Sequence, residues 1–321
     1  MRFQVEHFGK KSQTSSAWKT LPARAKKHQI MSKQHEKTMI DLQRLLSTKD
    51  FKTKKELTDF MNSLIGTELP SFPEETLTNQ EKAIDLALSA YDFDPRIGFE
   101  KVKEALELDS DCIEAYEFLG NVNDFPPISD AFYEKGITIG RKKFGAKYFK
   151  ENKGHFWLLH ETRPFMRCLY FHANCLYEMN KTQESIEVFE EMIELNPNDN
   201  QGVRDQLLLY LIEVEDKNKF IKYDKQYKND QMTFALFNRA LFAFINEGET
   251  KNSETLLRKA LLQNKYVAKK VISKSDSIFE SDGYTLGSEE EADYYLSHSK
   301  RIWESKLGAK DWLKRISKDK K

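Results

Sequence analysis

Side chains that could bind a peptide lie on one face of two neighbouring predicted helices, the first of which begins near Met166. They are Arg163, Arg167, Tyr170, Asn174, Tyr177, Gln201 and Arg204. An arginine guanidinium donates two parallel hydrogen bonds to a carboxylate, and an asparagine amide adds further donors. This combination predicts a surface that binds a protein or peptide partner carrying acidic side chains or a free carboxylate.

The same charges also have a purely structural interpretation. Glu161, Arg163, Arg167, Asp199 and Arg204 would then pair among themselves and hold an inserted segment against the helices. Ion pairs of this kind perturb charge states in the absence of any ligand. The residue types alone leave both interpretations open.

A second group suggests an alternative function as an enzyme or a metal-binding protein. It comprises His155, His160, Glu161 and Arg163, and a buried histidine there could act as a general acid or base. The order of these residues is not the HExxH order of helical metalloproteases. A simpler explanation of this group is that residues His155–Leu159 form a largely apolar segment that packs the insertion against the helices.

Other signatures of catalysis or metal binding are missing from the sequence. Cys168, His172 and Cys175 share one predicted helix face, but a closed zinc site needs four ligands, so they are predicted to be packing residues. The sequence has no Walker loop, GxGxxG, GxSxG or calcium loop. We therefore predict a non-enzymatic protein with no catalytic residue, no metal and no cofactor.

The elements that must position these residues are predicted to be helices. Thr53 and Glu56, Thr78 and Glu81, and Ser288 and Glu291 have the spacing of capping boxes, which begin helices. No alternating strand pattern of useful length occurs, and 13 glycines and 8 prolines are too few for an all-β chain. The fold class is therefore all-α.

A recurrence of 68 residues indicates repeated helical hairpins. The pairs that recur are Leu169 and Phe237, Leu176 and Phe244, Ser185 and Ser253, Phe189 and Leu257, and Met192 and Ala260. This shift is twice the 34-residue length of a tetratricopeptide repeat. One hairpin cannot bury its own apolar face, so neighbours stack into a continuous core. We predict a right-handed solenoid of about five units, interrupted by a 19-residue insertion near 146–165.

Charge divides the 321-residue chain into regions. Residues 1–37 carry nine basic and two acidic side chains, and residues 300–321 carry nine and three, whereas the whole chain has 51 of each. We predict a poorly ordered basic tail over 1–37, a helical cap over 38–78, the solenoid over 79–267 and a C-terminal cap with a basic tail over 268–321. Nucleic-acid contact through the basic ends is an alternative, but aromatic residues are not interleaved there as a stacking surface requires.

Two longer strings resemble a bacterial family of soluble tetratricopeptide proteins without an established biochemical function. They run from Gly154 to Arg167 and from Leu195 to Arg204, and the similarity extends over about residues 38–316, including Gly287–Ala292. The resemblance implies a scaffold that binds a peptide in a concave groove, a cytoplasmic setting and no catalytic residues to transfer. The chain has only three cysteines, which agrees with a reducing compartment such as the cytoplasm. It has no apolar run of membrane-spanning length, so no membrane partner is expected.

Overall fold

A computed structural model describes residues 23–70, 72–273, 279 and 283–319. This part of the chain contains no strand and fifteen α-helices: α1 (Ala23–Ser47), α2 (Lys54–Ser63), α3 (Asn79–Ser89), α4 (Pro95–Leu108), α5 (Ile113–Asn121), α6 (Pro126–Asn152), α7 (Arg163–Glu178), α8 (Thr182–Leu195), α9 (Val203–Glu213), α10 (Lys217–Gln226), α11 (Thr233–Glu247), α12 (Lys251–Gln263), α13 (Tyr266–Ile272), α14 (Glu289–Ser305) and α15 (Ala309–Lys318). The all-α fold class is therefore confirmed for this part of the chain, and helices adjacent in sequence pack in pairs, which is consistent with a helical repeat.

The chain divides into two compact units. Of the described residues, those from 23 to 145 and from 160 to 168 form unit 1, and those from 146 to 159 and from 169 to 319 form unit 2. Among the described helices, none combines the length and the apolar composition that crossing a bilayer requires.

The helix starts follow the capping signals in the sequence. Thr78 and Glu81 form a complete capping box at α3, with each side chain accepting a hydrogen bond from the other residue's backbone N–H. At α2, the Thr53 hydroxyl accepts from the Glu56 N–H, but the Glu56 carboxylate accepts from the Lys52 N–H instead of the Thr53 N–H. At α14, the Ser288 hydroxyl accepts from the Glu291 N–H, but the Glu291 carboxylate accepts from the Gly287 N–H instead of the Ser288 N–H.

In unit 1, a glycine lets α5 and α6 approach closely. A Cβ atom on Gly120 would lie 2.3 Å from the Tyr133 ring, which is far inside a normal contact distance. The Tyr133 hydroxyl donates to Asn121 Oδ1 over 2.7 Å, and Asn121 Nδ2 donates in turn to the Tyr91 hydroxyl. Small residues on α3 and α4 have the same role in the neighbouring core, where Ala83, Ala87 and Ala105 are completely buried.

In unit 2, the helix bounds reproduce the 68-residue shift. The helix α8 covers residues 182–195, and α12 covers residues 251–263. Ser185 and Ser253 are both fully buried at corresponding places, as are Phe189 and Leu257. Between them, α9 and α10 form a further helical hairpin. The recurrence predicted from the sequence is therefore present in the helices themselves.

The region predicted to be an insertion departs from the regular hairpins. Gly145 has φ 70° and ψ 166°, which breaks the helical geometry within α6. After Asn152 the chain is irregular up to a 3₁₀ turn at His160–Thr162. Phe156 anchors this stretch in unit 2, because its ring contacts Tyr148 and Phe149 and its N–H donates to the Leu195 carbonyl.

The N-terminal boundary differs from the expectation. Helix α1 crosses the predicted border between tail and cap at residues 37 and 38, and the Lys33 and Glu36 side chains are buried on it. These residues pair with charges far along the chain, so local composition gave no sign of their burial. Residues 1–22 of the predicted tail lie outside the described residues, as do 274–278, 280–282 and 320–321 of the predicted C-terminal cap.

Candidate interaction site

In unit 1, the first helices of the hairpins present a face that α1 covers. We call the surface formed by α3, α5 and residues 163–168 of α7 the unit 1 face. Helix α1 packs on α3 and on the two 3₁₀ turns at Ala90–Asp92 and His160–Thr162. Residues 112–120 are buried almost without interruption, including two glutamates, Glu114 and Glu117.

Four buried charges connect α1 to the middle of this face. Lys33 Nζ lies 2.7 Å from Glu117 Oε1. Arg167 donates to both oxygens of Glu117, over 2.8 and 2.7 Å, and also contacts Glu36 at 3.0 Å. Burial alone would raise the pKa of Glu117, but Arg167 and Lys33 hold the pKa below its usual value. Two cations and two anions therefore balance within the cluster.

A second ionic anchor lies at the other end of α1. Arg44 donates to Asp85 over 3.0 Å and to Glu81 over 3.2 Å, and both acids belong to α3. Asp41, one turn earlier on α1, accepts from the same guanidinium. Lys37 also contacts Asp85 at 3.3 Å. The unit 1 face is thus acidic where it meets α1.

Of the two predicted site residues in unit 1, Arg167 belongs to this cluster. Arg167 bonds two glutamates, and neither of them was among the partners expected for it. Arg163, the first residue of α7, is partly buried, and burial lowers its pKa. The sequence interpretation missed Lys33, Glu36 and Glu117. The available signal was a pair of glutamates, Glu114 and Glu117, in an otherwise apolar helix.

In unit 2, the corresponding surface is covered by α14. We call the surface formed by residues 169–178 of α7, by α9 and by α11 the unit 2 face. Helix α14 packs on both α9 and α11. The Tyr295 hydroxyl donates to Asn238 Oδ1 over 3.4 Å and accepts from Trp303 Nε1 over 2.9 Å. Both aromatic residues are completely buried, so α14 belongs to the core of unit 2.

The three predicted binding residues at the end of α7 contact other residues of unit 2. Tyr177 stacks on Tyr210 with ring centroids 3.7 Å apart and donates to Glu213 over 2.8 Å. The Arg301 guanidinium of α14 lies 4.4 Å from the centre of the Tyr177 ring. Asn174 donates to the Tyr170 carbonyl and accepts from Gln206. Side chains of α14 thus contact this end of α7.

Arg204 is part of an ion-pair cluster at the start of α9. Its guanidinium lies 3.0 Å from Asp199 and 2.8 Å from Asp230. The Asp199–Arg204 pair was expected in the structural interpretation of these charges, whereas Asp230 was missed. Burial raises the pKa of the neighbouring Asp205 to about 7, although Arg204 acts in the opposite direction. Gln201 lies between Asp199 and Arg204, in the turn before α9, and it is partly buried.

The residues proposed for enzymatic or metal chemistry differ in their exposure to solvent. His155 is exposed in the irregular stretch, and His160 and Glu161 form the 3₁₀ turn. Burial lowers the pKa of His160. All three cysteines are buried, and the Cys168 sulfur lies against Gly136 of α6 in unit 1. These positions agree with the packing role predicted for the cysteines.

Acidification is expected to weaken unit 2 through His298 of α14. This side chain contacts Gln206 and Phe234, and burial lowers its pKa to about 4. The unfolded chain takes up the proton near pH 6.5, so stability is lost as the pH falls from 6.5 towards 4. The contribution is about 2–3 kcal/mol. Urea unfolding at pH 7 and pH 4.5 should show a smaller pH difference for His298→Gln than for the wild type.

The matched control is His155→Gln, which makes the same change at an exposed position. It should leave the pH difference of the wild type intact. Equal pH differences in the wild type and His298→Gln would contradict the role assigned to His298.

Together, the fold and the two faces define an all-α helical-repeat protein whose hairpin surfaces are covered by helices from near its own ends. No protein-family model matches the chain, and no curated protein matches its sequence. The function therefore has to be inferred from the geometry of the two faces.

Proposed function

We propose that the protein is a non-enzymatic interaction scaffold of the tetratricopeptide type, which binds a helical or peptide segment of a partner protein on the unit 1 face. The observation that carries this proposal is the mode of contact between that face and α1. Among the described residues of α1, the most deeply buried side chains are Lys33, Glu36 and Arg44, and all three form ion pairs with side chains of that face. The 68-residue recurrence supports the tetratricopeptide class, and a cytoplasmic setting agrees with the few cysteines of the chain.

The two covering helices differ in the chemistry that holds them. Among the described side chains of α1, the buried ones are Lys33, Glu36 and Arg44, whereas its apolar residues remain partly exposed. The buried side chains of α14 are mostly large and apolar: Tyr295, Leu296, Ile302 and Trp303. Apolar burial dominates the stability of a folded core, whereas ion pairs contribute less because desolvation offsets their attraction. The unit 1 face is therefore the better candidate for exchange.

The predicted arginine clamp fits a structural role better than a ligand role. A carboxylate ligand at Arg167 would have to replace Glu117 or Glu36, and one at Arg204 would have to replace Asp199 or Asp230. Each replacement would leave a displaced acid in a poorly solvated place. We therefore assign partner binding to the acidic side chains of the unit 1 face rather than to these arginines.

Site-specific photocrosslinking in the native cell tests the proposal. A benzophenone amino acid would replace Lys37 of α1, which contacts Asp85 of the unit 1 face and whose side chain is 43% exposed. The same amino acid at Lys103, an exposed position of α4, provides the matched control. We expect a discrete protein adduct from position 37 and none from position 103.

Mass spectrometry of the adduct would then identify the partner and the crosslinked segment. Adducts of equal yield from both positions, or from position 103 only, would reject the unit 1 face as the interaction site.

A further inference from the structure

We propose that the unit 1 face is a binding site for a basic amphipathic helix, and that α1 is its resident occupant, which a partner helix with the same charge spacing displaces. This inference rests on the proposed interaction function and adds the chemistry of the partner to it. The steps below concern unit 1 alone.

The spacing of the cations on α1 matches the acids of the face. Lys33, Lys37 and Arg44 lie four and eleven residues apart, which places them on one side of an α-helix. Their partners on the face are Glu117, Asp85 and Glu81. A partner helix therefore needs basic side chains at the first, fifth and twelfth positions of about three turns.

Release of α1 leaves the Arg167–Glu117 ion pair intact at the centre of the face. Lys33 and Glu36 both belong to α1, so one positive and one negative charge leave together. Arg167 and Glu117 then remain joined by two hydrogen bonds of 2.8 and 2.7 Å. A buried charge that lost its only partner would oppose release strongly. The charges of this four-residue cluster are thus balanced with α1 bound, and those of Arg167 and Glu117 stay balanced with α1 removed.

The acids of α3 favour a basic occupant once α1 has left. Glu81 and Asp85 are partly exposed even in the covered state, and they would then lack the guanidinium of Arg44. Their mutual repulsion would disfavour an acidic segment at this place. The same acids would attract a helix that carries Lys or Arg, and the attraction would weaken as salt is added.

A labelled peptide provides a direct test with the full-length protein. The peptide comprises residues 30–50 with a fluorescein at its N-terminus, and its binding is measured by fluorescence anisotropy. In the wild type, the tethered α1 competes at a high effective concentration, so binding in trans should be weak. In Lys33→Gln/Arg44→Gln, the tethered helix is weakened and the face is unchanged. We expect this variant to bind the peptide at least tenfold more tightly than the wild type.

Two controls separate charge recognition from general exposure. A peptide with Lys33→Glu, Lys37→Glu and Arg44→Glu should not bind the variant. The protein variant Lys54→Gln/Lys103→Gln loses two exposed lysines outside the face and should bind the native peptide as weakly as the wild type does. Binding of both peptides with equal affinity would overturn the inference, because it would show apolar adhesion.

Hydrogen exchange of the α1 amides shows whether the helix has been released. Faster exchange over residues 35–47 in Lys33→Gln/Arg44→Gln, without tighter peptide binding, would overturn the inference. The proposed scaffold function would survive this result, since crosslinking from position 37 tests it independently.

Lys37→Gln keeps the buried cluster intact and covers the case in which the double variant unfolds. It should bind the peptide about threefold more tightly than the wild type, and a folded Lys37→Gln protein with no gain would also overturn the inference.

Discussion

Arg167→Glu is expected to lower the free energy of unfolding by about 3–5 kcal/mol, which is the usual cost of breaking a buried ion pair. Arg167 joins Glu117 and Glu36, and the side chain of Glu117 is only 2% exposed. The substitution would place three carboxylates together with Lys33 as the single remaining cation of the cluster. Urea unfolding followed by circular dichroism would measure the loss.

Lys103→Glu is a suitable control for this experiment, because it reverses an exposed charge on α4 of the same unit. It should change the free energy of unfolding by no more than about 0.5 kcal/mol. Combining Arg167→Gln with Lys33→Gln, Glu117→Gln and Glu36→Gln should recover part of the stability, since all four charges of the cluster are then removed together. A loss below about 1 kcal/mol for Arg167→Glu would contradict the structural role assigned to Arg167.

Trp303→Ala is expected to cost a further large amount, about 3–5 kcal/mol, because it opens a cavity in the core of unit 2. Trp303 is fully buried, and its Nε1 donates to the Tyr295 hydroxyl. The truncation would therefore remove both the packing and the donor that orients Tyr295. Urea unfolding would measure the loss, and hydrogen exchange should show faster exchange along α14.

Leu307→Ala gives the comparison for Trp303→Ala. Leu307 follows α14 directly and is 99% exposed, so its truncation should leave stability nearly unchanged. If Trp303→Ala left both stability and α14 exchange unaffected, α14 would not be part of the core. The unit 2 face would then become a second candidate for exchange with a partner.

The expected instability of Arg167 variants has a practical consequence for binding experiments. Arg167 lies where a peptide-binding residue was predicted, yet replacing it would disturb the unit 1 core before it reported on any ligand. Loss of a partner in such a variant would therefore reflect loss of structure. Lys37, whose side chain is 43% exposed, is a cleaner position for functional substitution.

The sequence by itself determined the helices and their recurrence. Capping residues such as Thr78 set where helices begin, and buried positions such as Phe189 and Leu257 recur because each hairpin must bury one side against its neighbour. The capping signal is local and the burial signal repeats at a constant interval, so both can be recognised in a single sequence.

Only the tertiary structure decided which surfaces are covered and which charges meet. Arg167 pairs with Glu117 and Glu36, which lie 50 and 131 residues away. With 51 basic and 51 acidic side chains, many pairings are compatible with the sequence. An ion pair has no periodicity, because it depends on two side chains meeting in space rather than on their spacing along the chain. The roles of α1 and α14 could therefore be recognised only from their packed positions.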